Sequence, residues 1–174
     1  MLPFQDPKLS PKERAHDLCA RLTCREKVGQ LNQRLYGFRS VRREGEQLTL
    51  DEAFQKEVLH FGGLGTLYGL YRADPWSGRT RESGLYGETA VRAYNLAQRF
   101  VVEHSRFGIP MLVSSECPHG HQALDGYLLP VNLAAGAAFQ PELLYEAGKV
   151  CGRQLRELGV DLALVSMLDI LRDP

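Results

Sequence analysis

Apolar positions along this chain recur first at helical spacing and later in short continuous runs, and the change from one to the other divides it. Early on, three helix starts stand out. Each pairs a Ser or Thr that can cap the helix with a Glu three residues later that can reach back. Ser10 with Glu13 is the first, and Pro11 occupies the first helical position, where its missing N–H costs nothing. Thr23 with Glu26 opens a helix over Val28 and Leu31, and Thr49 with Glu52 opens one carrying Phe54, Val58 and Leu59. Between the last two, the polar stretch Arg34 to Gln47, with Gly37 and Gly45, reads as an irregular arm or hairpin.

From Gly62 onward the pattern is different. Gly62 to Tyr68 is a Gly-bounded apolar run, followed by a loop from Gly69 to Gly87. A helix is predicted from about Glu88 to Arg106, with Val91, Leu96, Phe100 and Val101 at helical spacing and Gly108 after its end. Ile109 to Ser114 is the second apolar run. A polar loop and an Ala-rich turn then lead to Pro141, which opens a helix with Leu144, Ala147, Val150, Cys151 and Leu155 on one face. Gly159 stands where a left-handed residue closes a helix, and Val160 to Val165 is the third run. Strands alternating with helices predict right-handed crossovers in a parallel sheet, and continuous apolar runs fit strands buried on both faces. The fold class is α/β. Three strands alone do not decide between an open sheet and a barrel, and a complete eight-fold barrel needs about 250 residues.

Composition narrows the partners. The 174 residues are 44% hydrophobic and 24% charged, ordinary for a globular domain. With 21 Lys and Arg against 21 Asp and Glu, the chain has no electrostatic footprint for nucleic acid or an anionic membrane. The opening residues lack the basic and apolar regions of a secretory signal, and no stretch is long enough to span a bilayer. Cys19, Cys24, Cys117 and Cys151 form no Cys-x-x-Cys pair and are expected as reduced thiols, with a cytoplasmic location as the default.

In parallel α/β folds, ligand-binding residues gather beyond the C-terminal ends of strands. After the first run that loop offers Tyr68, Tyr71, Arg72, Asp74 and Trp76, and after the third Ser166, Asp169, Arg172 and Asp173. The second loop is densest in reactive types: Ser114, Ser115, Glu116, Cys117, His119 and His121. Glu116, His119, His121 and Cys117 could ligate a metal, but their spacing matches no standard zinc framework. Cys117 with His119 could be a thiolate and its base, against the commoner case of a buried inert cysteine. Glu116 could instead hold a polyhydroxylated ligand beside the aromatic-rich first loop, because a carboxylate offers two acceptor oxygens to hydroxyls. Gly62-Gly63-Leu64-Gly65 precedes a strand and is no phosphate cradle, and Arg39, Arg42 and Arg43 read as a solvated basic face.

Taken together, these segments resemble glycoside hydrolase family 3. Leu22-Thr23-Cys24-Arg25-Glu26-Lys27-Val28-Gly29-Gln30-Leu31 resembles the family's opening motif. Gly108-Ile109-Pro110 leading to Glu116-Cys117-Pro118-His119-Gly120 resembles its acidic residue followed by His-Gly. Pro130 to Ala134, Phe139 to Leu143 and Leu168 to Pro174 follow in the family's order, the last matching the start of Asp-x-x-Arg-Asp-Pro-Arg-Trp-Gly-Arg. The likeness covers essentially the whole chain. It departs in having Glu116 where many members have Asp, Met167 where Pro is common, and Cys24 in the opening motif.

The resemblance implies the N-terminal portion of a (β/α)8 barrel of the TIM type. Residues 1–61 would form N-terminal helices and an arm, and 62–174 about the first three strand and helix units. It further implies retaining hydrolysis of terminal β-linked sugars of the glucose or xylose type, without cofactor or metal. The substrate would be a β-linked oligosaccharide or an aryl or alkyl β-glycoside. Glu116 matches the acidic residue that holds sugar hydroxyls, and Tyr68, His119 and Asp169 complete the expected substrate-binding set. The family's nucleophilic Asp, its acid/base and its sugar-contacting Lys-His pair come later than these residues. The chain is therefore expected to be cut short within a motif, inactive alone, poorly stable, and open to self-association of an incomplete barrel. Two other outcomes stay open at this point. One is a non-catalytic carbohydrate-binding or scaffold remnant of such an enzyme. The other is a self-sufficient hydrolase using Glu116 with Asp125 or Asp169, which would need those carboxylates about 5–5.5 Å apart for retention or 6.5–9.5 Å for inversion.

Overall fold

The computed structural model describes residues 1–165, 170 and 172. The first two capping boxes form as the sequence predicts. Ser10 Oγ accepts from Glu13 N at 3.3 Å while Glu13 Oε2 accepts from Ser10 N at 2.9 Å, starting α1 (Pro11–Arg21). Thr23 and Glu26 repeat the exchange at 3.2 and 2.7 Å, starting α2 (Cys24–Leu31). The third start is corrected. Thr49 is held in a strand opposite Arg42, and Asp51 caps the helix instead, accepting from Ala53 N at 2.9 Å and Phe54 N at 3.4 Å. The cap therefore sits directly before α3 (Glu52–Phe61), where one carboxylate reaches two orphan N–H groups.

The arm also acquires a definite form. Strand β1 (Gln33–Arg34) leaves α2, a 3-10 turn spans Gly37–Arg39, and an antiparallel hairpin follows, β2 (Val41–Glu44) and β3 (Gln47–Leu50). Strand β1 pairs in parallel with β4 (Thr66–Tyr68), so the sheet gains a strand that no apolar run announced. Its side chains anchor it: Arg34 pairs with Glu57 and donates to Ser40 Oγ at 3.0 Å, and Asn32 donates to Glu57 at 2.6 Å. Gly37 fixes where the arm lies. A Cβ there would stand 2.1 Å from the Tyr68 carbonyl oxygen, so only glycine lets the turn rest on the C-terminal end of β4.

The main sheet runs β1-β4-β5-β6, all parallel, with β5 at Leu112–Glu116 and β6 at Leu162–Leu164. The second strand begins later than the apolar run at Ile109, for a local reason. Pro110 has no N–H for the ladder, and the Gln98 side-chain amide engages Met111 on both sides, N–H and carbonyl, at 2.9 Å each. Glu116 thus becomes the last residue of β5. Helix α4 (Gly87–Glu103) buries Ala90, Ala93, Ala97 and Val101 in one core with Leu67 of β4 and Val113 of β5. Phe54 and Val58 of α3 and Leu64 complete this core, and each fully buried aliphatic contributes about 1.5–3 kcal/mol.

The Ala-rich turn forms the short helix α5 (Asn132–Gly136), and α6 runs Pro141–Glu157. Gly159 takes φ +73°, the left-handed conformation expected after that helix. Cys151 and Leu155 of α6 pack on Cys117 in a second, smaller cluster. The basic residues of the arm do not form one solvated face: Arg42 pairs with Asp51, while Arg43 is nearly buried and donates to the Gly84 carbonyl at 3.0 Å. The architecture is α/β with a parallel sheet, that of part of a TIM-type barrel.

Candidate active site

Parallel pairing sets Tyr68 opposite Ser114 and Glu116 opposite Leu164, so the last residues of β4, β5 and β6 lie at one edge of the sheet. Tyr68 and Glu116 meet there. The Tyr68 hydroxyl donates to Glu116 Oε1, and Arg72 Nη1 donates to the Tyr68 oxygen while standing 3.6 Å from Glu116 Oε1. Arg72 is itself held from behind by Asp74, with Nε at 2.7 Å and Nη2 at 2.6 Å from Oδ2. Burial works to raise the Asp74 carboxyl, but hydrogen bonds from Arg72 and the Ser77 N–H outweigh it and keep the group below the usual carboxylate range. Burial first, and the bond to Glu116 second, push the Tyr68 phenol up to about 12, so it stays a donor at neutral pH.

The two oxygens of Glu116 therefore differ. Oε1 is committed to Tyr68 and Arg72, while Oε2 has no hydrogen bond among the described residues. A carboxyl group with one oxygen fixed can position a hydroxylated ligand, because the fixed oxygen sets the direction of the other.

Aromatic rings adjoin Arg72. Arg72 lies 4.5 Å over the Trp76 ring, and Trp76 in turn meets Tyr36 and Phe38 of the arm at centroid distances of 5.5 and 5.0 Å. Arg72 and Trp76 are visible in the sequence as loop residues. Tyr36 is not, because it reaches the site only through the pairing of β1 with β4; the available signal was its position beside Gly37 in an otherwise polar stretch.

The histidines are placed elsewhere. His119 lines an apolar cavity of about 470 Å³ with Cys117, Leu129, Cys151 and Leu155, and Glu116 is not part of that lining. His121 is fully buried, with Nε2 2.9 Å from Ser115 Oγ and Nδ1 without a partner among the described residues. Burial lowers it to about 4, so at neutral pH it is an uncharged core histidine. Among the described residues no three His, Cys, Asp or Glu side chains are grouped so as to hold a metal. Cys117 does not suit a thiolate nucleophile. Burial, and then the neighbouring Cys151, push its thiol up to about 11, the reverse of activation. Asp125 serves α4, accepting from Gly87 N at 3.0 Å and pairing with Arg81 at 3.3 Å. Asp169 lies outside the described residues.

A parallel sheet with helices, carrying polar side chains at the C-terminal strand ends, places the protein among the α/β domains whose sites form at that edge. Within that class the chain belongs to glycosyl hydrolase family 3: residues 23–174 match the family's N terminal domain. It is 27% identical over 174 residues to a putative β-xylosidase from Formosa agariphila, covering 98% of this chain and 21% of that protein. It also resembles the solved structure of a β-glucosidase from Erythrobacter marinus, with a TM-score of 0.73 and 28% identity over 98% of this chain and 20% of the other. The chain thus spans about a fifth of the length of these relatives. Among the described residues no helix is long and apolar enough to cross a membrane.

Proposed function

We propose that this chain supplies the sugar-holding part of a β-glycosidase site, in which Glu116 accepts hydrogen bonds from hydroxyls of a terminal β-linked glucose- or xylose-type residue. The observation that carries this is the asymmetry of the Glu116 carboxylate: Oε1 is fixed by Tyr68 and Arg72, and Oε2 has no hydrogen bond among the described residues. The β-xylosidase and β-glucosidase names of the two relatives support the substrate class.

In the whole protein the reaction is retaining hydrolysis. A carboxylate attacks the anomeric carbon while an acid protonates the leaving oxygen, and water then releases the sugar with its configuration kept. Glu116 takes neither role; it orients the ring. His119 and Asp169 stay in this reading as candidate substrate contacts. Association of copies through the exposed Leu112, Leu162 and Leu164 belongs to the same proposal, and a single monomeric species in sedimentation would remove that part.

The test is binding of methyl β-D-glucoside and methyl β-D-xyloside to the 174-residue chain, followed by NMR titration. Glu116→Ala is expected to abolish it, and neither protein should release product from an aryl β-glucoside. Binding unchanged in Glu116→Ala would overturn the role of this residue, and turnover by the chain alone would overturn the division of labour.

A further inference from the structure

We propose that Cys117 and Cys151 form a dithiol site that closes to a disulfide by exchange with a low-molecular-weight disulfide, fastening α6 to the end of β5. This stands apart from the reading of Glu116 as a sugar-holding group.

All four cysteines are free. Cys19 and Cys24 are exposed on α1 and α2, whereas Cys117 and Cys151, 6% and 5% exposed, pack against each other. The two thiols stand within hydrogen-bonding reach, and the Gly120 N–H also donates to the Cys117 sulfur. A buried cysteine is ordinarily inert packing, but this pair differs in where it lies. Both residues line the cavity of about 470 Å³, and Leu144, Gly148 and Gly152 of the same lining are exposed, so a small reagent reaches the sulfurs from solvent. Cys117 directly follows β5, while Cys151 and Leu155 are the two buried residues of α6. A bond between the sulfurs would therefore form where that helix has its main hold on the sheet.

The exchange has two steps. One cysteine thiolate attacks a sulfur of the small disulfide, releasing one small thiol and leaving a mixed disulfide. The other cysteine then attacks the protein sulfur and releases the second small thiol. One S–S bond breaks and one forms; the two cysteines lose two electrons, and the reagent carries them and the two protons away as two thiols. Each cysteine is the attacking group in one step. Burial, and then Cys151, push the Cys117 thiol up to about 11, so closure should be slow at pH 7 and quicken as pH rises.

The test uses the 174-residue chain carrying Cys19→Ser and Cys24→Ser, incubated with oxidised glutathione at pH 8 without denaturant, then acid-quenched and alkylated. Intact mass should show the loss of two hydrogens, and a peptide map should join the segments holding residues 117 and 151. The urea midpoint should rise by about 1–2 M, since the bond closes a long loop in the unfolded chain, and dithiothreitol should reverse the rise. By linkage, the equilibrium constant for closure in glutathione buffers should be roughly 100-fold larger in the folded chain than in concentrated urea. Cys151→Ala in the same background should keep its urea midpoint unchanged by oxidised glutathione. Two thiols that stay reduced in the folded chain, glutathione adducts that never resolve, or a closure constant equal in urea would each overturn the site.

Discussion

The two sides of strand β5 are built very differently. Toward β4, Leu67 and Val113 are fully buried beneath the alanine face of α4, and Phe54, Val58 and Leu64 close the core from α3 and its following turn. Toward β6, the strand residues Leu162 and Leu164 are 47% and 37% exposed, and α6 leaves Leu143 and Tyr145 largely in solvent. Only Cys151 and Leu155 of that helix are buried, against Cys117. Glu116 stands at the boundary. The well-packed side supplies Tyr68 and Arg72, which fix one carboxylate oxygen, while the other has no hydrogen bond among the described residues.

Truncations in the two halves should separate them most strongly. Leu67→Ala is expected to lose about 3–5 kcal/mol of unfolding free energy, since the surrounding core cannot collapse into the gap. Leu155→Ala should lose only about 2 kcal/mol, at the low end for such a change. Urea denaturation of both variants checks the contrast, and equal losses would remove it.

Next in size is a pH effect from His121, which is buried beside Ser115 on the packed side. Its pKa is lowered from 6.5 to about 4 by burial, so the unfolded chain binds a proton before the folded one does. Stability should be full above pH 6.5 and should fall as pH drops through the window from 6.5 to 4, by up to roughly 3 kcal/mol. Denaturation midpoints across that window, with His121→Leu as the variant that flattens the slope, give the measurement.

Arg72→Ala tests whether the rigid half orients Glu116. Losing a charge-assisted contact should weaken glucoside binding by about 1.5–3 kcal/mol, read by NMR titration. An unchanged affinity would mean that Tyr68 alone positions the carboxylate.

The smallest effect is expected at the far end of the molecule, where Arg106 pairs with Glu26 at 2.7 Å. The Arg106 hydrogen bond is the main cause lowering Glu26 to about 2, so this contribution is present above pH 4.5 and lost as pH falls toward 2. Because Arg106 is half exposed, Arg106→Ala should lower stability only slightly at neutral pH, and by less still at pH 2, read from urea midpoints at the two pH values.

Much of the packed half was legible in the sequence. The caps at Ser10 and Thr23 act locally, and the apolar runs at β4 and β5 reflect strands buried between layers, so neither needed tertiary information. Strand β1 was not legible, because Gln33 and Arg34 are polar and become a strand only by pairing with Thr66 and Leu67. The delayed start of β5 depends on the Gln98 side chain clasping Met111 from another element. At the site, Glu116 and Tyr68 could be named as residues at strand ends. That Arg72 would bind Tyr68, and that Tyr36 would stand against Trp76, depends on long-range pairing that residue spacing does not encode.

The Tyr71 hydroxyl donates to the Leu158 carbonyl at 2.6 Å, joining the loop after β4 to the end of α6 across 87 residues of sequence. A contact spanning so long a loop forms only after both ends have been brought together, which places it late on the folding path. Tyr71→Phe should accordingly leave the refolding rate nearly unchanged and accelerate unfolding. This single bond then acts as a latch on the lifetime of the folded chain, while the speed of its assembly is set elsewhere.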